Sequence, residues 1–219
     1  AMDTFPVNMF LPGSDISALA ARKREIYDGL TAWKSGFAGG AGAGKMISVE
    51  GGSYEDALNK ANHLLLTNLW GDGLPLWPAT KERVDWILQG ATLPREHVLG
   101  KFPPRGGVTT VETCAIALAM AGGRPEYLPI LVAAGEASFQ CEGFDQLQAT
   151  SGGPFPAVIV NGPIAKQIRL NSGFGLLGPD PQRPAGASIG RPLRLLQQNV
   201  GGGLPGGRTT AIFRAMPYT

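Results

Sequence analysis

Charged side chains are scarce in this chain. They make up 16% of its 219 residues, against about 25% in ordinary soluble domains. The formal net charge is only +2, which excludes the strongly basic surface that a nucleic-acid-binding protein presents by default. The hydrophobic fraction is 43%, which excludes intrinsic disorder, because disordered chains combine low hydrophobicity with high charge. We therefore expect a folded chain that buries much of its surface, in its own core or in a subunit interface.

Cysteine and histidine are equally sparse, with two residues of each. Cys114 and Cys141 form no Cys-x-x-Cys pattern, which excludes a disulfide framework, and their apolar neighbourhoods predict two buried thiols. The histidines and cysteines match no zinc pattern, so we predict no metal site. The sequence also lacks an apolar run of about 18 residues and a secretory signal. We expect a cytoplasmic protein with no membrane contact and no nucleic-acid partner.

Glycine and proline, by contrast, are abundant, with 32 and 18 residues. One glycine-rich stretch, Gly39-x-x-x-x-Gly44-Lys45, matches most of the phosphate-binding loop pattern. Met46 replaces the Ser or Thr that would bind magnesium, and no apolar strand precedes Gly39. The sequence therefore predicts a glycine–alanine loop without nucleotide dependence, and it identifies no cofactor.

Hydrophobic periodicity and capping residues predict several helices and a few short strands. The predicted helices span residues 16–30, 54–69, 81–89, 111–121, 126–138 and 188–199, and the predicted strands span residues 98–102, 157–160 and 209–213. The helix at 111–121 is almost entirely apolar, which indicates burial on every side, and the helix at 126–138 is again largely apolar.

These elements predict an α/β fold, with a helical N-terminal part followed by short strands that alternate with buried apolar helices. We expect two parts in the chain. Residues 1–50 form a helical arm with the glycine–alanine loop, and residues 51–219 form the α/β core domain.

Polar residues next to the predicted elements form the candidate site. Asn161 directly follows the 157–160 strand, where open α/β sheets place ligands. Asn171, Ser172 and Gly173 form a second turn whose donors are suited to a carboxylate or oxyanion. Glu112 begins an apolar helix that must pack on the same sheet. We predict Glu112, Asn161 and Ser172 as catalytic residues, with Glu112 moving a proton, and Asn171 and Gly173 as substrate-binding residues.

Two arginines complete the candidate site. Arg191 lies near a helix N-terminus, where a cation is unfavourable unless an anion is nearby, and Arg105 is held in a stiff loop between two prolines and two glycines. Both are predicted to bind a carboxylate of the substrate. For Glu112 the alternative is a surface glutamate that stabilises the helix dipole, and for the Asn and Ser turns it is ordinary turn chemistry.

Several segments, taken in their order along the chain, resemble a bacterial family built around a UGSC motif, which is selenocysteine or cysteine followed by Gly-Ser-Cys. The segments are Trp70-Gly-Asp-Gly-Leu-Pro-Leu-Trp-Pro-Ala-Thr80, Pro103-Pro-Arg-Gly-Gly107, Val111-Glu112 through Ala121-Gly-Gly-Arg-Pro-Glu-Tyr-Leu-Pro129, Asn161-Gly-Pro163 through Asn171-Ser-Gly173, and Ile189-Gly-Arg191. The resemblance covers residues 52–207 and implies thiol redox chemistry. This chain, however, contains no Cys-Gly-Ser-Cys. Either a partner subunit carries the motif, or this branch does not use it.

Two functions remain open at this point. The first is an enzyme subunit that acts on a small anionic organic substrate by lyase, hydration or reductive (oxidoreductase) chemistry, assembled with a second copy or a partner. The second is a non-catalytic subunit that stabilises a catalytic partner, which the low charge and the missing motif favour. Both imply association, because the chain carries more apolar surface than one small globule easily covers.

Overall fold

The computed structural model describes residues 13, 15–31, 46–148, 156–174 and 178–204. Contacts divide the chain into two units, Ala1–Gly42 and Ala43–Thr219, and each is described by itself. The glycine–alanine loop predicted at residues 36–44 and the strand predicted at residues 209–213 lie outside the described residues.

Residues 15–31 of the first unit form two short helices, α1 (Ser17–Ala21) and α2 (Lys23–Thr31), where the sequence predicts one. The two helices are separated at Arg22. Its N–H donates to the carbonyl of Leu19, three residues back, at 3.1 Å, which is a tighter turn than that of an α-helix. Asp15 accepts a hydrogen bond from the N–H of Ser17 at 2.8 Å, although Ile16 is the residue in the N-cap position.

The described part of the second unit is mainly helical, with one small sheet. Its elements are α3 (Tyr54–Thr67), α4 (Lys81–Ile87) with a 3-10 turn at Leu88–Gly90, β1 (Val98–Phe102), β2 (Gly107–Thr110), α5 (Val111–Met120), a 3-10 turn at Pro125–Tyr127, α6 (Leu128–Gln140), α7 (Phe144–Leu147), α8 (Pro163–Gln167) and α9 (Ala185–Asn199). The predicted mixed α/β class is confirmed. In the described part of the chain, none of these helices is both long and apolar enough to cross a bilayer.

Side-chain caps fix where three of the predicted helices begin. Ser53, Thr80 and Thr110 each accept a hydrogen bond from the N–H three residues on, and so begin α3, α4 and α5. Thr110 and Thr113 also exchange reciprocal hydrogen bonds, which form a complete capping box. A cap of this kind is worth about 1 kcal/mol because it satisfies an N–H that has no partner inside the helix.

The sheet is an antiparallel hairpin in which Phe102 pairs with Gly107 and Lys101 with Val108. The predicted strand at 98–102 is therefore confirmed. The strand predicted at 157–160 is wrong as a buried sheet strand, because these residues pair with no strand in the described part of the chain and Ile159 is 89% exposed. Its apolar pattern has another cause: Val158 and Val160 pack against the core, while Ala157 and Ile159 are exposed.

Helix α5 lies at the centre of the core, as its apolar composition predicts. Side chains along its whole length are buried, namely Val111, Cys114, Ala115, Ala117, Leu118, Ala119 and Met120. It packs against α4, α6, α9 and β2. Helix α6 buries one face against α5, β1 and α9, but Ala133 and Ala137 on another face are exposed. The predicted burial of the 111–121 helix is confirmed in α5, whereas α6, predicted to be apolar, is buried on one face.

Several glycines are explained by close approach of neighbouring elements. A Cβ on Gly90 would overlap the backbone carbonyl of Pro125, and one on Gly107 would overlap the carbonyl oxygen of Val200. Because these two glycines lack side chains, the turn after α4 can lie against the turn before α6, and β2 can lie against the end of α9. The glycine content therefore reflects packing in this core.

We predict that Gly90→Ala lowers the free energy of unfolding by about 1–3 kcal/mol, because the added methyl group has no space. Gly135→Ala in α6 is the control. Its Cβ would lie 3.8 Å from Phe139 Cζ, an ordinary contact, and alanine is favoured over glycine in a helix by about 1 kcal/mol. Urea denaturation measures both variants, and equal losses of stability would contradict this account.

Candidate functional site

A groove beside α6 forms a cavity with a volume of about 780 Å³. On one side it is lined by α6, where Pro129, Ala133 and Ala137 recur at every fourth position and so share one face. On the other it is lined by residues 156–161 and by Ile164 of α8. The described lining is almost wholly apolar.

Three residues give the groove its polar side-chain groups: Ser138, Cys141 and Asn161. The hydroxyl of Ser138 donates to the backbone carbonyl of Ala134 at 2.8 Å, so its proton already takes part in a hydrogen bond within the helix. Asn161 is exposed and supplies both a donor and an acceptor. Of the residues predicted from sequence to form the site, Asn161 is the one that lines this groove.

Glu112 lies elsewhere, in a surface ion-pair network at the start of α5. Its carboxylate accepts a hydrogen bond from the guanidinium of Arg95, which also donates to Asp85 at 3.3 Å. Lys81 in turn donates to Asp85 at 2.6 Å. The hydrogen bond to Glu112 raises the pKa of Arg95, and the hydrogen bond from Lys81 lowers the pKa of Asp85. Glu112 does not line the groove, and its catalytic role stays a prediction.

The Asn171–Gly173 turn is likewise separate from the groove lining. Asn171 is buried and packs against Gly186, where any Cβ would clash with its amide. Ser172 is exposed, and its carbonyl accepts a hydrogen bond from Arg183 at 3.2 Å. Gly173 has a φ of +70°, a conformation that glycine adopts without strain. The described contacts give this turn a structural role; the catalytic role of Ser172 and the substrate-binding roles of Asn171 and Gly173 stay predictions.

Arg191 does bind a carboxylate, but the carboxylate belongs to Asp72 of the same chain. Nε lies 2.7 Å from Asp72 Oδ2 and Nη2 lies 2.9 Å from Oδ1, a bidentate pair. Nη2 also donates to the carbonyls of Pro75 at 2.9 Å and Leu74 at 3.3 Å. The anion expected near Arg191 is therefore supplied by the chain itself, and the substrate-binding role of Arg191 stays a prediction.

Helix α9, which carries Arg191, also binds the loop that precedes Asp72. Gln198 donates to the carbonyls of Leu69 and Gly71 at 3.0 and 2.6 Å, and Asn199 donates to Trp70 O at 2.8 Å. Leu69 has a φ of +58°, a left-handed conformation that costs a non-glycine residue about 1–2 kcal/mol. Side chains of α9 thus fix the loop between α3 and α4. Two of the segments singled out in the sequence, at 70–80 and 189–191, contact each other here.

Arg105 lies at the tip of the β1–β2 hairpin and is exposed. Its backbone N–H donates to Gly201 O at 2.9 Å, and its aliphatic stem lies where a Cβ on Gly202 would be. The hairpin tip is therefore anchored to the chain after α9. Arg105 does not line the groove, and its substrate-binding role stays a prediction.

The two cysteines differ in their surroundings. Cys114 is buried in α5, as expected, and burial raises the pKa of its thiol to about 12. Cys141 is exposed and lines the groove, so the prediction that both thiols are buried is wrong for it. The reason is that α6 ends just before Cys141. Among the described residues, no group of three or more His, Cys, Asp or Glu side chains is placed to hold a metal ion.

The exposed face of α6 was not predicted from the sequence. Its signal was present, because Pro129, Ala133 and Ala137 form a stripe of apolar residues at helical spacing. In a helix that is almost entirely apolar, however, this stripe is indistinguishable from the faces that pack on the core. Asp72, the partner of Arg191, was also missed, since 119 residues separate the two in sequence.

We predict that Arg191→Met lowers the free energy of unfolding by about 3–5 kcal/mol, because it leaves the carboxylate of Asp72 buried without its partner. The two side chains are only 15% and 5% exposed. Arg124→Met is the matched control, since the Arg124–Glu126 pair is exposed and such pairs contribute about 0–1 kcal/mol. If thermal or urea unfolding finds the two variants equally stable, the proposed importance of the buried pair is wrong.

The pair also predicts how stability depends on pH. Burial by itself raises the pKa of Asp72, but hydrogen bonds and the charge of Arg191 outweigh it, so the pKa is lowered. A lowered pKa stabilises the fold above the unfolded value of about 3.9, and this contribution is lost as pH falls through the folded value. The stability difference between the wild type and Asp72→Asn should therefore shrink below about pH 4. Urea unfolding at pH 3 to 7 measures it, and a constant difference would contradict the assignment.

No family model, no curated protein and no solved structure matches the chain.

Proposed function

We propose that this chain is the ligand-binding subunit of an enzyme that acts on a small organic substrate, and that the groove beside α6 holds the substrate. The observation that carries the proposal is the apolar face of α6 next to the cavity, where Ala133 and Ala137 are exposed beside Pro129. A helix as rich in apolar residues as α6 normally buries most of its surface. A ligand that covers this face would bury it.

The size and composition of the groove support this proposal. Its volume of about 780 Å³ falls within the range of about 300–1,000 Å³ that is typical of small-molecule sites. Such sites combine a mostly apolar lining with a few polar groups that orient the ligand. Here Asn161 is the polar group best suited to that task, because its amide offers a donor and an acceptor.

The charge of the groove favours a neutral ligand over the anion expected from the sequence. The described lining includes no lysine or arginine. An anion that leaves water for such surroundings loses its hydration without gaining a partner, which is strongly unfavourable. We therefore propose a substrate whose bound part is apolar and uncharged, with one hydrogen-bonding group directed at Asn161.

A second subunit completes the enzyme in this proposal. The described lining holds no carboxylate, imidazole or amine, so its side chains are suited to binding and orienting the substrate rather than to moving its protons. The resemblance to the UGSC-motif family supplies a candidate for the missing group, which is the thiol motif on a partner chain. Lyase, hydration and reductive chemistry all remain open.

A non-catalytic subunit that stabilises a catalytic partner is the second candidate. The observation that favours it is the number of large apolar side chains exposed outside the groove. They include Phe174 at 97%, Tyr54 at 73%, Leu69 at 59%, Trp77 at 45% and Trp86 at 42%. In this alternative the same side chains become buried when the partner binds.

Cys141 gives a direct test of ligand binding, because it lines the groove and is exposed. The other thiol, Cys114, is buried with a pKa of about 12, so alkylation reports on Cys141 alone. We predict that saturating 2-naphthol, a neutral bicyclic probe, slows the reaction of Cys141 with iodoacetamide severalfold, and that 2-naphthoate protects far less. Mass spectrometry of intact protein measures the rates. Equal protection by both probes, or none by either, would contradict the proposal.

Asn161→Ala tests the polar contact within the same assay. Losing one neutral hydrogen bond of about 0.5–1.5 kcal/mol should weaken 2-naphthol binding about 2- to 12-fold. Asn68→Ala is the matched control, since Asn68 is exposed and does not line the groove, and it should leave the affinity unchanged. The assignment fails if the two variants bind the probe alike.

A further inference from the structure

The groove beside α6 is long, because it follows the whole length of that helix. Its α6 lining begins at Pro129 and continues to Cys141, which directly follows the last helical residue. At a rise of about 1.5 Å per residue, the wall from Pro129 to Cys141 is about 18 Å long. The groove therefore has the length of an elongated molecule, and a compact ring system such as 2-naphthol covers only part of it.

The α6 residues that line the groove form two adjacent rows along the helix. In each row the residues recur at every fourth position, which places them one above the other on the same face. The middle of both rows consists of small side chains, namely Ala133, Ala134, Ala137 and Ser138. No large side chain of the helix therefore divides the groove between its two ends.

The opposite side of the groove is aliphatic as well. It includes Val158, Ile159, Val160 and Ile164, together with Leu193 of α9. Phe144 is the one aromatic residue in the described lining, so stacking on aromatic rings contributes little to binding. The main attraction that such a lining offers is the burial of aliphatic CH₂ groups.

A peptide chain suits this groove less well than a hydrocarbon chain does. Every residue of an extended peptide brings an N–H and a C=O group, which must be paired when they are buried. The described lining supplies polar side chains only at Ser138, Cys141 and Asn161, and the hydroxyl proton of Ser138 is already donated to Ala134 O. A hydrocarbon chain has no polar groups along its length and so avoids this cost.

We infer that the groove binds a linear aliphatic chain with one neutral polar group, extended along α6. Carbon–carbon bonds of about 1.5 Å in a zigzag advance about 1.25 Å per carbon, so 18 Å accommodates about 14 carbons. This inference rests on the proposed function and adds the class of its substrate, which is a long-chain alcohol, aldehyde, ester or amide.

Equilibrium dialysis of the full chain with radiolabelled 1-alkanols tests the length of the site. Each added methylene that enters the groove should tighten binding about fourfold. The affinity should therefore rise steadily from 1-hexanol through 1-octanol and 1-decanol to 1-dodecanol. Cyclododecanol has as many carbons as 1-dodecanol but holds them in a compact ring. It should bind at least about tenfold more weakly, because fewer of its methylenes contact the groove.

A bulky side chain within the α6 wall tests where the ligand lies. Ala133 is exposed and lines the groove, so Ala133→Phe should shorten the space along the helix. It should weaken the binding of 1-dodecanol at least about tenfold and that of 1-hexanol less than about threefold. Gln140→Phe is the matched control, since Gln140 is an exposed residue of α6 that does not line the groove. Circular dichroism checks folding, and Ala137→Phe takes the place of Ala133→Phe if the latter is poorly folded.

Three results would overturn the inference. They are an affinity that stops rising at 1-hexanol, equal binding of 1-dodecanol and cyclododecanol, and equal losses of 1-dodecanol binding in Ala133→Phe and Gln140→Phe. If 2-naphthol still protects Cys141 in any of these cases, the proposed function stands and only the linear shape of the substrate is wrong. If 2-naphthol gives no protection either, both proposals are wrong.

Discussion

The burial of α5 is the constraint on which the rest of the core depends. Side chains along its whole length are enclosed, so neighbouring elements must cover it from every direction, and α4, α6, α9 and β2 do so. Small residues such as Ala115 and Ala119 leave room for this packing. Because α6 turns one face to α5, its Pro129–Ala137 stripe is left facing the groove. The candidate site is thus a consequence of how the central helix is covered.

The start of a helix could be predicted where the residue that caps it lies next to it in the sequence. Ser53, Thr80 and Thr110 lie one residue before their helices and accept hydrogen bonds from N–H groups three residues on, so a few consecutive residues contain the whole interaction. The β1 strand was predictable for the same reason, as it is bounded by Pro103 and Pro104. Helix α9 begins at Ala185, three residues earlier than predicted. No side chain caps its start, so no local signal marks it in the sequence.

Features that depend on distant residues were not predictable in the same way. Arg191 was recognised as needing an anion, but Asp72 lies 119 positions away, and no pattern in the sequence connects them. The segment at 157–160 has the composition of a strand, yet composition does not say whether another strand pairs with it. For the candidate site, the sequence identified Asn161 through its position after that segment. It did not identify the apolar stripe of α6, which resembles any other face of an apolar helix.

The central claim is that the groove beside α6 binds a neutral organic molecule, and methyl NMR tests it most directly. In protein labelled at alanine methyl groups, titration with 2-naphthol should shift the signals of Ala133, Ala137 and Ala157, which line the groove, and should leave those of the enclosed Ala115 and Ala119 nearly unchanged. Shifts spread over core and groove alike, or no shifts at millimolar probe, would contradict the claim.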